Sequence, residues 1–309
     1  MIPTLQILLA TYDSSRYLGG QLESILAQDV QDFEILIHDG GSTDGTPELI
    51  ESFQRKFPEK IVFLGSAEAS AMENFALLLN RSEAGLVMFS DHDDVWKPGK
   101  ISRTLAKYRK MSASSGTRTP LMVFTDSEVT DSALNVISTS LMRYAHLDPC
   151  GLSVNRLLAQ NVASGNTMLL NRALLELALP IPEEAVMHDH WITLVAAALG
   201  QIGFLDEATL YYRQHADNVF GAFPYALYPL LKKLRMGRNK LRERFDRNIL
   251  QAAAFGRRYA DRLAPADREM LAALGNWSSL GFFARRKLLL RYHISKSGFL
   301  RNLGMFLLA

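Results

Sequence analysis

Phe33-Glu-Ile-Leu-Ile-His-Asp-Gly-Gly-Ser-Thr-Asp-Gly-Thr-Pro47 decides the reading of the fold. Residues 33–37 are a short apolar run of strand length, and a Gly-rich turn follows. Thr46-Pro47 then opens a helix, with Thr46 as N-cap and the proline at the first helical position, where its missing N–H costs nothing. The alternation continues on both sides. Residues 5–10, 60–64 and 86–90 read as strands. Residues 17–28, with Leu18, Leu22, Ile25 and Leu26 on one face, read as a helix, as do 74–80 and 100–111. Strands alternating with helices imply right-handed βαβ units and a Rossmann-like, mostly parallel sheet with helices on both faces, an α/β class. Beyond residue 111 the pattern loosens. Residues 112–120 read as a loop, 121–125 as a strand and 163–170 as an extended segment; 190–199 read as a buried helix, and 201–205 and 209–212 as strands.

The chain has 309 residues, 48% of them hydrophobic and 21% charged, enough for a sizeable core in one large or two modest domains. Its single cysteine, Cys150, excludes a disulfide framework and a multi-cysteine zinc site, and suits a reducing, cytoplasmic compartment. Residues 1–10 are apolar but lack a basic flank and a small-residue cleavage site, so they read as a first strand rather than a signal peptide. No run reaches the ~18 apolar residues that a spanning helix needs. The expectation is a soluble or membrane-peripheral protein. Residues 223–309 hold 18 Lys+Arg against 5 Asp+Glu, whereas residues 1–222 hold 16 against 27. This asymmetry sets the tail apart from the body. The expected boundary lies near Gly221, with a catalytic α/β domain over 1–221 and a helical basic region over 222–309.

In open α/β sheets, ligands bind beyond the carboxyl ends of the strands. After the first strand come Thr11-Tyr12-Asp13; after the second, Asp39 and its Gly-rich turn; after the fourth, Asp91-His92-Asp93-Asp94. Carboxylates gathered on one edge repel one another unless a cation or donors compensate. In an extended strand end Asp91 and Asp93 point the same way and can address one ligand. Hard oxygen donors without thiolates suit Mg²⁺ or Mn²⁺. The plainer alternative is an acidic loop capping a helix near Pro98. Turn and cap chemistry accounts for Gly40, Gly41, Ser42 and Thr46 but leaves Asp39 without a role. No Walker-type Gly-Lys-Ser/Thr occurs, and no Gly-x-Gly-x-x-Gly follows the first strand, which argues against ATPase and dinucleotide readings. Taken alone, Asp189 reads as a helix cap, His215 as a surface or core histidine, and Trp96 and Trp191 as packing groups with sugar stacking as a second use. A His188/His190 zinc pair is disfavoured, because side chains two apart on a helix diverge.

Together these motifs carry a resemblance. Thr11-Tyr12, Asp39-Gly-Gly-Ser-Thr-Asp-Gly-Thr and Asp91-His-Asp-Asp, followed by Ser164-Gly-Asn-Thr167, His188-Asp-His-Trp191 and Tyr212-Arg-Gln-His215, resemble the family 2 glycosyltransferases of the GT-A fold. The similarity is greatest to the bacterial rhamnosyltransferase branch, over residues 5–221. The resemblance implies an inverting, metal-dependent transferase that moves a sugar, rhamnose from dTDP-rhamnose, to a glycan or polyprenyl-linked acceptor in surface polysaccharide synthesis. It places Thr11, Tyr12, Asp13 and Asp39 around the nucleoside of a dTDP- or UDP-linked donor. Asp91 and His92 lie on the donor side, and Asp93 binds the Mg²⁺ or Mn²⁺ that bridges the diphosphate. Gly165 lines the pocket, Asp189 is the catalytic base, His215 helps hold metal or phosphate, and His190 and Trp191 face the acceptor. His38 and His190 depart from the family pattern.

The tail mixes cations with large apolar groups, as in Arg285-Arg-Lys-Leu-Leu-Leu-Arg-Tyr292 and in residues 225–247. A basic amphipathic helix can lie on an anionic membrane surface, here the inner face of the cell membrane, or its apolar face can pack on the body. Nucleic acid is disfavoured by the acidic body. Two alternatives remain: a haloacid-dehalogenase-type phosphatase, whose acidic pair Asp91-x-Asp93 mimics, and a non-catalytic sugar-nucleotide-binding protein.

Overall fold

In the computed structural model, which describes residues 4–116, 118–215 and 238–308, β1 (Leu5–Thr11) lies between β2 (Phe33–Asp39) and β4 (Leu86–Ser90), parallel to both. β3 (Ile61–Ser66) adds beyond β2. Successive side chains of β1 point to opposite faces and the run is almost continuously apolar, so both faces are buried: Leu5, Ile7 and Leu9 enter one core cluster, Leu8 and Ala10 the other. The helices that cover the first cluster are α1 (Ser15–Leu26) and α2 (Thr46–Lys56), with α4 (Lys100–Ser115) beside them. α3 (Ala71–Arg81) covers the opposite face.

The second half departs from a purely parallel design. β8 (Met168–Asn171) runs antiparallel to both β4 and β6 (Leu121–Thr130). β6 pairs parallel with β9 (Gln201–Arg213), and β9 pairs antiparallel with β5 (Val95–Trp96). β7 (Val136–Ser138) pairs with β6, giving nine strands in the order β3-β2-β1-β4-β8-β6-β9-β5 with β7 off the path. The two strands expected over 201–212 are one strand whose register slips against β6 near Asp126, so a bulge produced the apparent break. Residues 112–115, expected as loop, form the last turn of α4, which ends at Gly116. The segment expected to be extended over 163–170 contains a 3-10 turn, Gly165–Thr167, before β8. Thr46 is the first residue of α2 and not its cap. Gly45 occupies that place at φ +89°, a left-handed conformation that glycine tolerates. The Thr46 hydroxyl instead accepts the Ser14 N–H at 2.8 Å.

α5 (Leu141–Tyr144), α6 (Val154–Ala159) and α7 (Arg172–Ala178) precede α8 (His188–Leu199), the apolar helix. The basic region supplies α9 (Arg238–Arg258), α10 (Pro265–Gly275), α11 (Phe282–Arg291) and α12 (Phe299–Leu308). The expected boundary at 221–222 and most of the amphipathic stretch 225–247 lie outside the described residues. Beyond them Phe255, Tyr259, Leu271, Trp277 and Leu289 join the same buried cluster as Leu8, Phe89 and Trp191. The apolar faces of the tail helices thus close over the sheet rather than forming a core of their own.

Candidate active site

The carboxyl ends of β1, β2 and β4 meet at one edge, with the strand order reversing at β1. Here the loops after β1 and β2 are zipped together. Asp39 is fully buried, and its carboxylate receives five donors: the Thr11 hydroxyl (2.8 Å), the Gly41 and Ser42 N–H groups (3.1 and 2.8 Å), and the Ser42 and Ser66 hydroxyls (2.5 and 2.6 Å). Burial alone would raise its pKa, but these donors outweigh it and hold it below the usual carboxylate value. Asp39 shapes the loop, and a ribose would reach it only by displacing one of these donors. Asp13 accepts the Thr43 N–H at 3.0 Å, and Asp44 accepts the Ser15 N–H at 2.9 Å. Tyr12 stands exposed above this cradle, its ring more than half accessible.

After β4 the chain bends at His92 and Asp93, so the side-chain alternation of an extended strand does not apply there. Asp91 is raised to about 7 by burial and by the charges of Asp93 and Asp189. Asp94 is fully buried and raised well above its ordinary value by burial and by Asp93 and Asp91. The Asn166 amide (2.5 Å) and the Arg213 N–H (3.3 Å) donate to it and only partly offset the rise. Lys100, also fully buried, is lowered to about 7 by burial against the pull of Asp94, and donates to the Thr209 hydroxyl at 3.1 Å. His215 Nε2 lies 2.9 Å from Asp93 Oδ2, and its ring stacks on Tyr17 with centroids 4.8 Å apart. Arg213 donates from Nε to the Asp93 carbonyl at 2.8 Å and covers the same Tyr17 ring. β9 therefore delivers His215 against the acidic loop through a run of contacts 122 residues apart in sequence.

The third component comes from the start of α8. Asp189 accepts the His190 N–H at Oδ1 (2.6 Å) and the Gly165 N–H at Oδ2 (3.2 Å). Burial raises it to about 6 despite these donors. A Cβ at Gly165 would sit 3.1 Å from His188 Nε2 and 3.5 Å from Asp189 Cβ, so the bare backbone is what lets the turn approach the helix. His188 is buried between the Phe75 and Phe89 rings, and burial lowers it to about 3. Both its ring nitrogens, Asn166 Oδ1 and the Gln214 side-chain nitrogen are buried and find no partner among the described residues, and all belong to residues adjoining Asp94, Asp189 or His215. Buried polar groups are normally satisfied, so such a cluster marks a place that water or a ligand completes.

Two sequence expectations fail here. His190 and Trp191 were expected on the acceptor side, but both are core residues. His190 Nε2 is bonded to the Leu157 carbonyl at 2.6 Å, and Trp191 donates from Nε1 to the Ala178 carbonyl at 3.0 Å, packed against Phe255 and Tyr259 of α9 and the turn after it. Trp191→Ala is therefore expected to cost about 3–5 kcal/mol of stability, read by denaturant unfolding. An unchanged unfolding midpoint with a weakened acceptor KM would restore the acceptor reading. Conversely, Tyr17, Asp94, Lys100, Asn166, His188 and Arg213 are site residues that sequence reasoning gave no role.

The donor set fits a small hard cation. Burial and mutual repulsion raise Asp91 and Asp94, a cost that a bound cation would offset, and Asp93 and His215 already touch. Among the described residues no three His, Cys, Asp or Glu side chains converge as a ready-made metal site. The protein would thus supply few ligands and leave the rest to phosphate and water, as Mg²⁺ and Mn²⁺ accept.

Residues 6–137 match the family model described as Glycosyl transferase family 2. The chain is 29% identical over 216 residues to alr2836, an uncharacterized glycosyltransferase of Nostoc sp., covering 69% of this chain and 66% of that protein. It is 26% identical over 240 residues to the dTDP-rhamnosyl transferase RfbG of Shigella flexneri, covering 75% and 80% respectively. The chain spans 66% of the Nostoc protein and 60% of the uncharacterized Rv1520 of Mycobacterium tuberculosis, less than two thirds of each. Among solved structures, S. aureus TarS 1–349 in complex with UDP-GlcNAc superposes with a TM-score of 0.60 at 16% identity, covering 94% of this chain and 80% of that one. At that identity the likeness concerns the fold, and the fold is the expected GT-A type. The phosphatase alternative needs its acidic pair after the first strand, whereas here the pair follows β4.

Proposed function

We infer, since residues 6–137 match the model of glycosyl transferase family 2, that this chain transfers a sugar from a nucleoside diphosphate to a hydroxyl acceptor in cell-surface polysaccharide synthesis. The observation that supports this most is the link between Asp189 and the acidic loop: the Gly165 N–H donates to Asp189 at 3.2 Å, and the next residue, Asn166, donates to Asp94 at 2.5 Å. A base and a diphosphate-binding edge thus share one site.

In this reading the acceptor hydroxyl oxygen attacks the anomeric carbon and its proton passes to the Asp189 carboxylate. The bond from that carbon to the diphosphate oxygen breaks, and the diphosphate leaves with the electron pair. A single displacement of this kind inverts the anomeric configuration. Raised to about 6, Asp189 is ionised at neutral pH yet basic enough to take a proton in the transition state. The Gly165 and His190 N–H groups hold its two oxygens in place. Asp93 and His215 would hold Mg²⁺ or Mn²⁺, which would offset the charge of the departing diphosphate. Thr11, Tyr12 and Asp13 border the nucleoside, and Asp39 fixes the loop they stand on.

For the donor we propose dTDP-rhamnose, supported by the identity to RfbG over 75% of this chain. The acceptor is a glycan or polyprenyl-linked sugar, met at the inner face of the cell membrane. Mass spectrometry of the purified chain against dTDP- and UDP-sugars with a polyprenyl-linked acceptor tests this. The expected result is consumption of dTDP-rhamnose in preference to the UDP-sugars with appearance of an extended acceptor. Nucleotide binding without consumption of any donor would favour a sugar-nucleotide-binding protein instead.

A further inference from the structure

We propose that the outward face of the last two helices, α11 and α12, is a docking surface for an anionic lipid bilayer. Both helices are two-sided. α11 turns Leu288 and Leu289 into the core, and α12 turns Met305 inward. Their other sides leave large apolar groups in water: Phe282, Phe283 and Leu290 on α11, and Phe299, Leu303 and Leu307 on α12. Phe283 is 83% exposed and Phe299 76%. Phe283 and Leu290 stand seven apart and Phe299, Leu303 and Leu307 four apart, so each set occupies a single face of its helix. The two faces adjoin, since Phe282, Phe283, Leu290, Phe306 and Leu307 line one apolar depression with Lys287 and Arg291 at its edge. Arg286 ties the helices together, lying over the Phe282 ring and donating to the Leu307 carbonyl at 3.2 Å. Contiguous exposed apolar surface of this kind marks an interaction site.

Charge identifies the occupant. Residues 270–309 contain six Lys or Arg and no Asp or Glu, and Glu269, just before them, pairs with Arg291 at 2.7 Å. A second copy would bring like charge against like in a symmetric contact, and a polynucleotide would leave the phenylalanines and leucines in water. An anionic leaflet satisfies both features, with cations at the headgroups and aromatic and aliphatic groups at the acyl boundary. No helix among the described residues is long and apolar enough to cross a membrane, so the contact is a lateral one.

The surface is fixed relative to the candidate active site. Asn155 donates to the Tyr292 and His293 carbonyls (3.1 and 3.0 Å), Ser297 N–H donates to the Gln160 side chain (2.9 Å), and Arg301 donates to the Ala145 and His146 carbonyls (2.5 and 3.1 Å). The segment they grip, 145–160, leads directly into Gly165 beside Asp189. A bilayer held here would present a lipid-anchored acceptor from a constant direction. This deepens the membrane placement proposed above, and rests on that reading only for the acceptor.

Sedimentation of the full chain with vesicles tests the surface without any transfer assay. Binding is expected to vesicles of phosphatidylglycerol and phosphatidylethanolamine, about ten-fold or more weaker to phosphatidylcholine alone, and weaker as salt rises. Phe283→Ser with Phe299→Ser is expected to lower partitioning by about ten-fold or more, with melting temperature and nucleotide affinity unchanged. Lys287→Gln with Arg291→Gln is expected to remove the preference for anionic lipid. Three results would overturn the proposal: no partitioning of the wild-type chain, partitioning untouched by the phenylalanine changes, or a wild-type dimer that Phe283→Ser dissociates. Failure to consume any donor would defeat the transferase reading and leave the vesicle result standing.

Discussion

Asp189→Asn is expected to lower kcat by ~10²–10⁴-fold, the usual contribution of a positioned general base, while nucleotide affinity stays near that of the wild type. The amide fills the same space at the start of α8, so Gly165 and His190 remain where they are. One of their two N–H groups loses its acceptor, which costs about 1 kcal/mol. The same change removes a buried charge that acts on Asp91, so the variant is expected to fold. The pH profile separates chemistry from packing. Folding raises Asp189 above its ordinary carboxyl value to about 6, so acidification protonates it earlier than an exposed aspartate. Wild-type kcat is expected to fall as pH drops through about 6 and to level above it, and the residual rate of the Asn variant should lack that inflection. A residue that merely starts the helix would leave kcat and its profile intact.

Asp93→Asn should have an effect of similar size by a different route. The backbone carbonyl that receives Arg213 is untouched, and the substitution keeps the side chain's shape against His215 Nε2. What is lost is the negative charge that a divalent cation needs. In the presence of Mn²⁺ we expect kcat/KM to fall by about 10³-fold, the scale of several kcal/mol of charge stabilisation. His215→Ala is expected to do less, since it leaves the Asp93 carboxylate in place.

The sheet was readable because its physics is local. Apolar runs of strand length in β1, β2 and β4, each followed by acidic or Gly-rich turns, place the reactive edge without knowledge of the packing. The second half was harder. β8 is four residues long and antiparallel, and a bulge interrupts the β6–β9 pairing, so neither leaves a clean period in the sequence. Asp39 shows the limit for site residues. Its position at a strand end was visible, but its five donors come from Thr11, Gly41, Ser42 and Ser66, and only the folded loops reveal that they saturate it. Trp191 was misplaced because it is next but one to Asp189 in sequence. On a helix two residues apart point ~200° away from each other, so an Asp189 that faces Gly165 sends Trp191 into the core. That geometry was available beforehand. Tyr17 and Lys100 carried no comparable signal: one is an aromatic on an amphipathic helix, the other a lysine at a helix start, and their partners His215 and Thr209 lie 198 and 109 residues further along the chain.

Calorimetric titration of dTDP and UDP into the wild-type chain and the Asp93→Asn and Asp189→Asn variants, with and without Mn²⁺, tests the central claim most directly. The account predicts nucleotide binding that needs Mn²⁺ in the wild type, survives in Asp189→Asn and is lost in Asp93→Asn. Binding of equal strength without the ion, or an Asp93→Asn variant that binds as the wild type does, would contradict it.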